Sequence, residues 1–399
     1  MATPIPIEQA FSLILKHAGQ TPQVEVPIQA ALGHYLASNV LADRDWPPFN
    51  RSMVDGYAVF SSDTRSAPDV LEVLEEVHAG SEATRALAPG QAIKIMTGAP
   101  LPAGADAVVM QEQTGIPRAG FVRFSATVRH GQNVARQGED VRVGQPVISA
   151  GSWLGPAEIG VLAAVGCQHV PVRQKPVVAI LGTGDELVEP HAVPGPAQIR
   201  NSNSLQLLAH CAAHHLPARY LGIARDNPAE TQRLIEDGLQ AGILVSTGGV
   251  SVGERDYVGT ILRKLGVELY FDKVAIKPGK PTTFGKRGET LVFGLPGNPV
   301  AAFVCFHLFV MTAIRQRIGA NEPLPRWITL PLFGSVKQSG DRTTFHPGRL
   351  LVQDGITGIE PIEWHGSGHL AALVGAGGLF AQKPNQELGR GQGVTYYPL

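Results

Sequence analysis

The stretch VVAILGTGDE (Val177–Glu186) decides the fold class that we predict for the second half of this 399-residue chain. Its first part is an uninterrupted apolar run, which is typical of a strand buried on both faces of a parallel sheet. Its second part is a glycine-containing turn that ends in two carboxylates. Ligands of open α/β sheets bind outside the carboxyl ends of the strands, so this turn is also the first candidate for a functional site.

The same alternation of strands and helices continues to about residue 323. Further strands are predicted at ARYLGIA, GILVST, VELYFDKVAI and TLVFGL. Helices are predicted at SNSLQLLAHCAAHHL, capped by Ser202 or Asn203; at NPAETQRLIEDGLQ, with Pro228 in the first turn; at ERDYVGTILRKLG; and at NPVAAFVCFHLFVMTAIRQRIG, capped by Asn298 with Pro299 at its first position. This order predicts a three-layer α/β/α domain around a mostly parallel sheet.

The flanking regions are richer in short strands. Residues 4–18 form an amphipathic helical pattern, and the segments QVEVPIQ, VDGYAVF, LEVLEEV, QAIKIM, ADAVVMQ and GFVRFSATV then alternate with turn residues. GSWLGPAEIGVLAAVGCQHVPV predicts a short helix followed by a strand. After about residue 326 the tail returns to short strands and glycine-rich turns, which predicts a small β-barrel or sandwich.

The composition argues against two classes of partner. Lys and Arg number 33 against 34 Asp and Glu, so the chain lacks the basic field that duplex nucleic acid requires. From the sequence we expect no apolar run to reach the ~20 residues of a membrane span. Three scattered cysteines and an N-terminus without a signal-peptide pattern predict a reducing compartment, and we expect the cytoplasm.

The loops after the predicted strands share one chemistry. They carry the carboxylates Asp185, Glu186, Asp226, Glu254 and Asp256. The loop KPGKP adds two lysines, Lys277 and Lys280, held between prolines. Mg²⁺ binds one or two carboxylates together with water and substrate phosphate, and lysines neutralise the remaining phosphate charge. The loops together therefore predict a phosphate-bearing ligand with Mg²⁺.

Each loop alone also has a purely structural explanation. GTGDE is an ordinary turn with an aspartate cap, TGGVSVG resembles many glycine-rich turns, and PGNP starts a helix. Asp-Gly at Asp55 and Thr-Gly at Thr97 are common turn pairs. KPGKP is harder to explain structurally, because solvated lysines usually lie on flexible surfaces and not between prolines.

Several longer motifs occur in an order that resembles one family. They are SMVDGYAV, IMTGAPLPAGADAVVMQE, GTGDEL, STGGVSVGERDYV, KVAIKPGKPTTFG and GLPGNPVAAF, and the tail adds a weaker match at GSGHL. Together these motifs resemble the molybdopterin molybdenumtransferases, which include the bacterial MoeA-type enzymes and the E domain of gephyrin. The match covers most of the chain from about residue 46 to 310.

The resemblance implies an enzyme that inserts molybdate into adenylylated molybdopterin and releases AMP in a Mg²⁺-dependent reaction. It implies a homodimer with its active site at the subunit interface. An upstream adenylyltransferase would deliver the adenylylated pterin to it. It also implies four domains: residues 1–50 with 138–172, 51–137, 173–323 and 324–399.

The motif match assigns roles to individual residues. It implies that Glu186, Asp226 and Asp256 lie around the metal and adenylate, with Glu186 and Asp256 as Mg²⁺ ligands, and that Lys277 and Lys280 bind oxyanions. The residues along the pterin phosphate would be Gly248, Gly249, Ser251, Pro296, Gly297 and Asn298. The tail would add Arg349 and Ser367, and the partner subunit would add Asp55, Thr97 and Asp140. The catalytic set is Asp55, Thr97, Asp140, Glu186 and Asp256.

Two positions depart from the family pattern. Ala301 stands where the family commonly has serine, and Pro347 stands where it often has a second arginine, a charge that we expect Arg349 to supply. Two alternatives remain. One is a non-catalytic pterin-binding scaffold of the same fold, and the other is an α/β enzyme that handles nucleotide sugars or adenylates.

Overall fold

The structure is a computed structural model that describes residues 3–65, 70–225, 227–249 and 257–399. The chain forms two compact units. The first comprises the described residues of Met1–Ser38, Ala150–Pro156 and His169–Leu399, and the second comprises those of Asn39–Ser149 and Ala157–Gln168. The predicted four-domain division stays a prediction.

The helices and strands follow the chain in three stretches. Up to residue 176 they are α1 (Ile7–Ala18), β1 (Gln23–Pro27), β2 (Val40–Leu41), β3 (Arg51–Ser52), β4 (Gly56–Val59), β5 (Val70–Val77), β6 (Gln91–Ile95), β7 (Ala107–Met110), β8 (Thr114–Arg118), β9 (Phe121–Phe124), β10 (Val134–Ala135), β11 (Pro146–Ile148), α2 (Pro156–Ala164) and β12 (His169–Arg173). From 177 to 323 they are β13 (Val178–Thr183), β14 (Leu187–Val188), β15 (Ile199–Arg200), α3 (Ser202–Ala213), β16 (Ala218–Ala224), α4 (Pro228–Gly238), β17 (Ile243–Thr247), α5 (Tyr257–Lys264), β18 (Glu268–Phe271), β19 (Ile276–Lys277), β20 (Thr283–Arg287), β21 (Thr290–Leu295), α6 (Pro299–Cys305) and α7 (Met311–Arg317). The tail contains β22 (Ile328–Pro331), β23 (Thr343–Gln353), β24 (Ile356–Pro361), β25 (Gly378–Gln382) and β26 (Gly393–Pro398).

The first unit is built around a six-stranded sheet of order β16-β13-β17-β21-β20-β18. Its first four strands are parallel, and β20 runs antiparallel to both of its neighbours. The prediction of a mostly parallel sheet is therefore confirmed. Because β13, β17 and β21 are central and parallel, their carboxyl ends lie side by side at one edge.

Helices cover both faces of this sheet, as the alternation of buried residues requires. Ile180 faces a core that includes Leu207 of α3, whereas its neighbour Leu181 faces a core with Ile235 of α4 and Ile261 of α5. Successive side chains of a strand point to opposite faces, so one apolar run serves two cores. Burial of each such aliphatic side chain contributes about 1.5–3 kcal/mol.

Two predictions in this region are wrong in detail. Helix α3 is capped by Asn201, whose side chain accepts a hydrogen bond from the Ser204 amide, and not by Ser202 or Asn203. VELYFDKVAI is not one strand, because β18 and β19 belong to different sheets. The chain leaves the first sheet after Phe271, and its backbone there pairs with Ile5 near the N-terminus.

The long helix predicted after PGNP is confirmed as α6 and α7, joined by one π-helical turn at Phe306–Val310. The whole segment Pro299–Arg317 has the length and apolar composition of a membrane span, contrary to our expectation, but 78% of its most apolar window is buried inside the fold. This burial is typical of the central helix of a packed core.

The tail forms the predicted β-barrel. Strand β24 pairs with β23, β23 with β25, β25 with β26 and β26 with β22. A bridge between Leu332 and Ile359 joins the end of β22 back to β24 and closes the circuit. Phe380 and Tyr396 are buried inside it with these two residues. Strand β19 adds to this sheet beside β23.

The second unit contains another six-stranded sheet, of order β7-β4-β6-β5-β9-β8. Five of these strands, β4, β5, β6, β7 and β9, correspond to apolar segments identified from the sequence, whereas β8 was not predicted. Alternate residues again pack on opposite faces, with Tyr57 and Val59 in one core and Ala58 in the other.

Candidate active site

A cavity of about 360 Å³ opens at the carboxyl ends of the central parallel strands of the first unit. It is lined by Thr183, Glu186, Leu187, Ile199, Asn203, Thr247, Gly248, Gly249, Pro281, Pro296, Gly297 and Asn298. These residues come mainly from the loops that follow β13, β17 and β21. Six of them were candidate site residues from the sequence, so the structure brings together Glu186, Gly248, Gly249, Pro296, Gly297 and Asn298.

The turn after β17 requires glycine at two successive positions. Gly248 and Gly249 have φ angles of +86° and +61°. A Cβ atom on Gly248 would lie 2.6 Å from the Thr183 carbonyl oxygen, and one on Gly249 would lie 2.9 Å from the Thr183 hydroxyl. The backbones of two neighbouring loops therefore approach more closely than any side chain allows, which leaves room for a ligand above them.

Glu186 lies in a turn whose backbone is held from two sides. Arg225 donates hydrogen bonds from Nη1 to the carbonyl oxygens of Asp185 and Leu187, at 3.0 and 2.8 Å. The Ile199 amide donates to the Glu186 carbonyl oxygen at 2.7 Å. The carboxylate itself is exposed at the cavity, where it is free to bind a cation.

The PGNP turn joins the cavity to the distant GSGHL motif. Asn298 occupies the N-cap position of α6, as predicted, but its side chain makes no capping bond. Its Nδ2 donates instead to the Ser367 hydroxyl at 2.7 Å, and the Val300 amide donates to the Ser367 carbonyl oxygen at 3.0 Å. Two candidate residues separated by 69 positions are thus in direct contact.

Sequence reasoning missed the role of Asn203 at this cavity. Its Nδ2 donates to the Gly297 carbonyl oxygen at 2.8 Å, which links α3 to the PGNP turn. The available signal was the pair of asparagines in RNSNS, because Asn201 and Asn203 cannot both cap the same helix. The second asparagine therefore had to have another partner.

The two lysines of KPGKP do not share the first cavity. Lys277 lines a second cavity of about 670 Å³, together with Thr344, His346 and Trp364. Lys280 lines neither of these two cavities, although the next residue, Pro281, lines the first. The cause is the path of β19, in which Lys277 lies opposite Thr344 of the barrel strand β23.

Three side chains that line the second cavity form a chain of hydrogen bonds. Trp364 Nε1 donates to His346 Nδ1 at 3.0 Å, and His346 Nε2 lies 2.9 Å from Gln382 Oε1. Burial holds the pKa of His346 below its ordinary value; the bond to Gln382 opposes this shift, and the charge of Lys277 adds to it. His346 is therefore neutral at pH 7, with both ring nitrogens engaged.

The KPGKP loop is rigid because Gly279 is buried against a helix. Gly279 has a φ angle of +116°, and a Cβ atom there would overlap the Cys305 sulfur and lie 2.9 Å from Ile276 Cδ1. The Thr282 hydroxyl also donates to the Gly279 carbonyl oxygen at 2.6 Å. The side chains of Lys277 and Lys280 are exposed on either side of this anchor.

We expect Gly279→Ala to lower the free energy of unfolding by about 2–3 kcal/mol, because backbone strain and overpacking add. Gly266→Ala is the matched control. Gly266 also has a positive φ, +78°, but no atom lies within 4 Å of the added Cβ. Its cost should be about 1 kcal/mol, from backbone strain alone. Urea unfolding at pH 7 measures both, and equal midpoints for the two variants would contradict the proposed anchor.

The remaining tail candidates lie away from the first cavity. Arg349 is on β23 and forms a 3.3 Å ion pair with Glu360 of β24, so its charge is already partly compensated. Pro347 is buried within β23, and Ala301 is buried in α6. A hydroxyl at position 301 would therefore face the protein interior and not the cavity.

In the second unit, Asp55 and Thr97 form one polar pair at the ends of β4 and β6. The Thr97 amide and hydroxyl both donate to Asp55 Oδ1 at 2.7 Å. These bonds, the amide first, hold the pKa of Asp55 below its ordinary value. Asp140 is exposed, and its amide donates to the Trp46 carbonyl oxygen.

The candidate residues Asp226, Ser251 and Asp256, and the loop carboxylate Glu254, lie outside the described residues. Among the residues that the structure describes, no group of three or more His, Cys, Asp or Glu side chains could hold a metal ion. Glu186 is the candidate metal ligand that the structure describes.

Family models match three successive parts of the chain. They are described as the MoeA N-terminal region (domain I and II), over residues 5–166; a probable molybdopterin binding domain, over 179–316; and the MoeA C-terminal region (domain IV), over 329–399. The cavity described above lies within the second of these parts.

Curated relatives and solved structures agree with the family models. The chain is 33% identical over 380 residues to a molybdopterin molybdenumtransferase of Staphylococcus epidermidis, covering 94% of this chain and 90% of the relative. It is 37% identical over 329 residues to one of Bacillus subtilis, covering 80% and 76%. A crystal structure of a molybdopterin biosynthesis MoeA protein from Pyrococcus horikoshii matches with a TM-score of 0.85 and 30% identity over 100% of both chains. From its motifs, its fold and these relatives, this chain belongs to the MoeA family of molybdopterin molybdenumtransferases.

Proposed function

We propose that this chain inserts molybdate into the dithiolene of adenylylated molybdopterin and releases AMP. One observation carries the proposal. The loops after three neighbouring parallel strands, which bear the GTGDEL, STGG and PGNP motifs, line one cavity. Their close-packed glycine backbones and an exposed carboxylate suit a ligand that bears phosphates and a cation.

Mg²⁺ fits the residues present at this cavity. Glu186 offers an exposed carboxylate, and Mg²⁺ in phosphoryl-transfer sites takes one or two protein carboxylates with water and substrate phosphate. A second ligand is proposed at Asp256. The bound ion would neutralise phosphate charge, which is the main requirement for breaking a phosphoanhydride.

The chain's own groups have binding and orienting roles. The backbone at Gly248 and Gly249 allows the pterin phosphate to approach closely. Pro296, Gly297 and Asn298 bind the other side of the phosphate. The hydrogen bond between Asn298 and Ser367 fixes the PGNP turn. We propose Asp226 and Ser251 near the adenylate and phosphate, and Lys280 as an oxyanion partner at the edge of the cavity. Lys277 and Arg349 are proposed as oxyanion contacts outside it.

An AMP-release assay tests this function. Purified protein is incubated with adenylylated molybdopterin and Mg²⁺, with and without molybdate, and AMP is measured. We expect release that depends on molybdate. Tight pterin binding without AMP release would favour the non-catalytic scaffold, and absence of pterin binding would favour another α/β enzyme.

We also propose a cytoplasmic homodimer that receives its substrate from an adenylyltransferase. In this dimer the partner subunit's Asp55, the partner subunit's Thr97 and the partner subunit's Asp140 complete each active site. The exposed, hydrogen-bonded pair of Asp55 and Thr97 supports this role, because an ionised carboxylate held by two donors is a preorganised polar contact.

Complementation between two inactive chains tests the shared site. Asp55→Ala and Glu186→Ala chains, co-expressed with different tags and purified through both, form dimers with one intact site of two. We expect about half of wild-type AMP release from these mixed dimers. A dimer of chains carrying both substitutions is the control and should be inactive. Mixed dimers as inactive as their parents would show that the site is built within one chain.

A further inference from the structure

The N-terminus of α3 is held by a series of buried and partly buried polar contacts. Asn201 is 2% exposed, and its Oδ1 caps the Ser204 amide while its Nδ2 donates to the Tyr220 hydroxyl at 2.9 Å. Tyr220 in turn donates to Glu189 at 2.9 Å. Burial and this carboxylate raise the pKa of Tyr220 to about 12, so the phenol keeps its proton. The first turn of α3 is therefore held in place by hydrogen bonds.

Asn203 lies in this first turn of α3 and reaches the cavity. Its side chain is largely buried, with the residue 8% exposed, and it lines the cavity beside Gly297 and Asn298. Its Nδ2 donates to the Gly297 carbonyl oxygen at 2.8 Å across 94 positions of sequence. Among the described residues, this is the side-chain hydrogen bond that the structure gives Asn203.

The contact acts on the turn that starts the long central helix. Gly297 lacks a side chain that could restrict its backbone, so hydrogen bonds must hold its peptide plane. Asn203 holds the carbonyl oxygen from one side, while Ser367 binds Asn298 and the Val300 amide from the other. Both contacts restrict the turn before a ligand arrives, which lowers the entropy lost on binding.

We infer that Asn203 is a positioning residue that orients the PGNP turn for the pterin ligand through the Gly297 carbonyl group. This role rests on the proposed function, because it assumes that the cavity binds adenylylated molybdopterin. It predicts an effect on ligand affinity and on the mobility of the turn, with little effect on the fold.

The isosteric change Asn203→Asp tests the inference. It replaces the N–H donor by a carboxylate oxygen, which repels the Gly297 carbonyl oxygen instead of binding it. We expect the Kd for adenylylated molybdopterin to rise at least tenfold. We also expect faster amide hydrogen exchange in residues 296–302 of the ligand-free protein, and a kcat that changes much less than KM. The control is Leu205→Ala, which alters a 50% exposed side chain of the same helical turn.

The outcomes separate this role from the proposed function. An aspartate variant with wild-type Kd and wild-type exchange in residues 296–302 would overturn the role of Asn203. Wild-type protein that does not bind the pterin would overturn the proposed function, and the exchange measurement would then still decide whether Asn203 orders the turn. If Asn203→Asp does not fold, Asn203→Ala supplies the same comparison without adding a charge.

Discussion

We expect Glu186→Gln to lower the kcat for molybdate-dependent AMP release by about 100- to 1,000-fold, the loss when one preorganised electrostatic contact is removed. The substitution keeps the size and hydrogen-bonding shape of the side chain but removes its charge. Since Arg225 and the Ile199 amide hold the backbone of the turn, the backbone should be unchanged.

Mg²⁺ titration adds a readout that folding defects would not reproduce. The half-saturating Mg²⁺ concentration should rise in Glu186→Gln, while the thermal midpoint stays within about 2 °C of wild type, as expected for surface changes. Glu236→Gln, an identical change at an exposed site on α4, should leave both kcat and the Mg²⁺ dependence unchanged. Wild-type kcat and Mg²⁺ dependence in Glu186→Gln would refute the assignment.

Acidification from pH 7 to pH 4 should destabilise the first unit by several kcal/mol. His210 of α3 and His307 of the π-helical turn are 9% and 2% exposed, and their rings lie 5.7 Å apart. Burial, with a smaller contribution from the nearby His214 and Arg315, lowers the pKa of His210 to about 3 and that of His307 to about 4.

The direction of this change in unfolding free energy follows from proton binding in the folded and unfolded states. Between pH 6.5 and these lowered pKa values, the unfolded chain binds protons that the folded chain does not, so acid favours unfolding. The stabilisation is complete above the unfolded pKa of about 6.5 and is lost as the pH falls through the window. For the two histidines together, the loss by pH 4 is on the order of 5 kcal/mol.

Urea unfolding followed at pH 7, 6, 5, 4.5 and 4 measures this loss. His210→Phe replaces the imidazole by a ring of similar shape that cannot bind a proton, and it lies against Phe303 and Phe306. It should reduce the fall in stability across the window by about 3 kcal/mol, the contribution of this one histidine. His191→Phe, at an exposed position, should leave the fall unchanged. A His210→Phe protein with the wild-type pH dependence would contradict the prediction.

The α/β core was predictable because its signals are local. The apolar runs of β13, β17 and β21 are continuous, and Pro228 and Pro299 mark the starts of their helices correctly. The carboxyl-edge rule predicts from the sequence alone that Glu186, Gly248 and Gly297 lie together. The rule failed for KPGKP, because it assumed that VELYFDKVAI is one strand of the same sheet.

The sequence by itself determined the class of the fold, the three loops that line the cavity and the family of the chain, since each depends on short patterns of apolar, glycine and acidic residues. Only the tertiary structure decided that Lys277 belongs to a second cavity, that Ser367 binds Asn298 and that Asn203 holds Gly297. These contacts join residues 67 to 94 positions apart. No local pattern encodes such pairs, because they form only where separate strands and helices pack against one another.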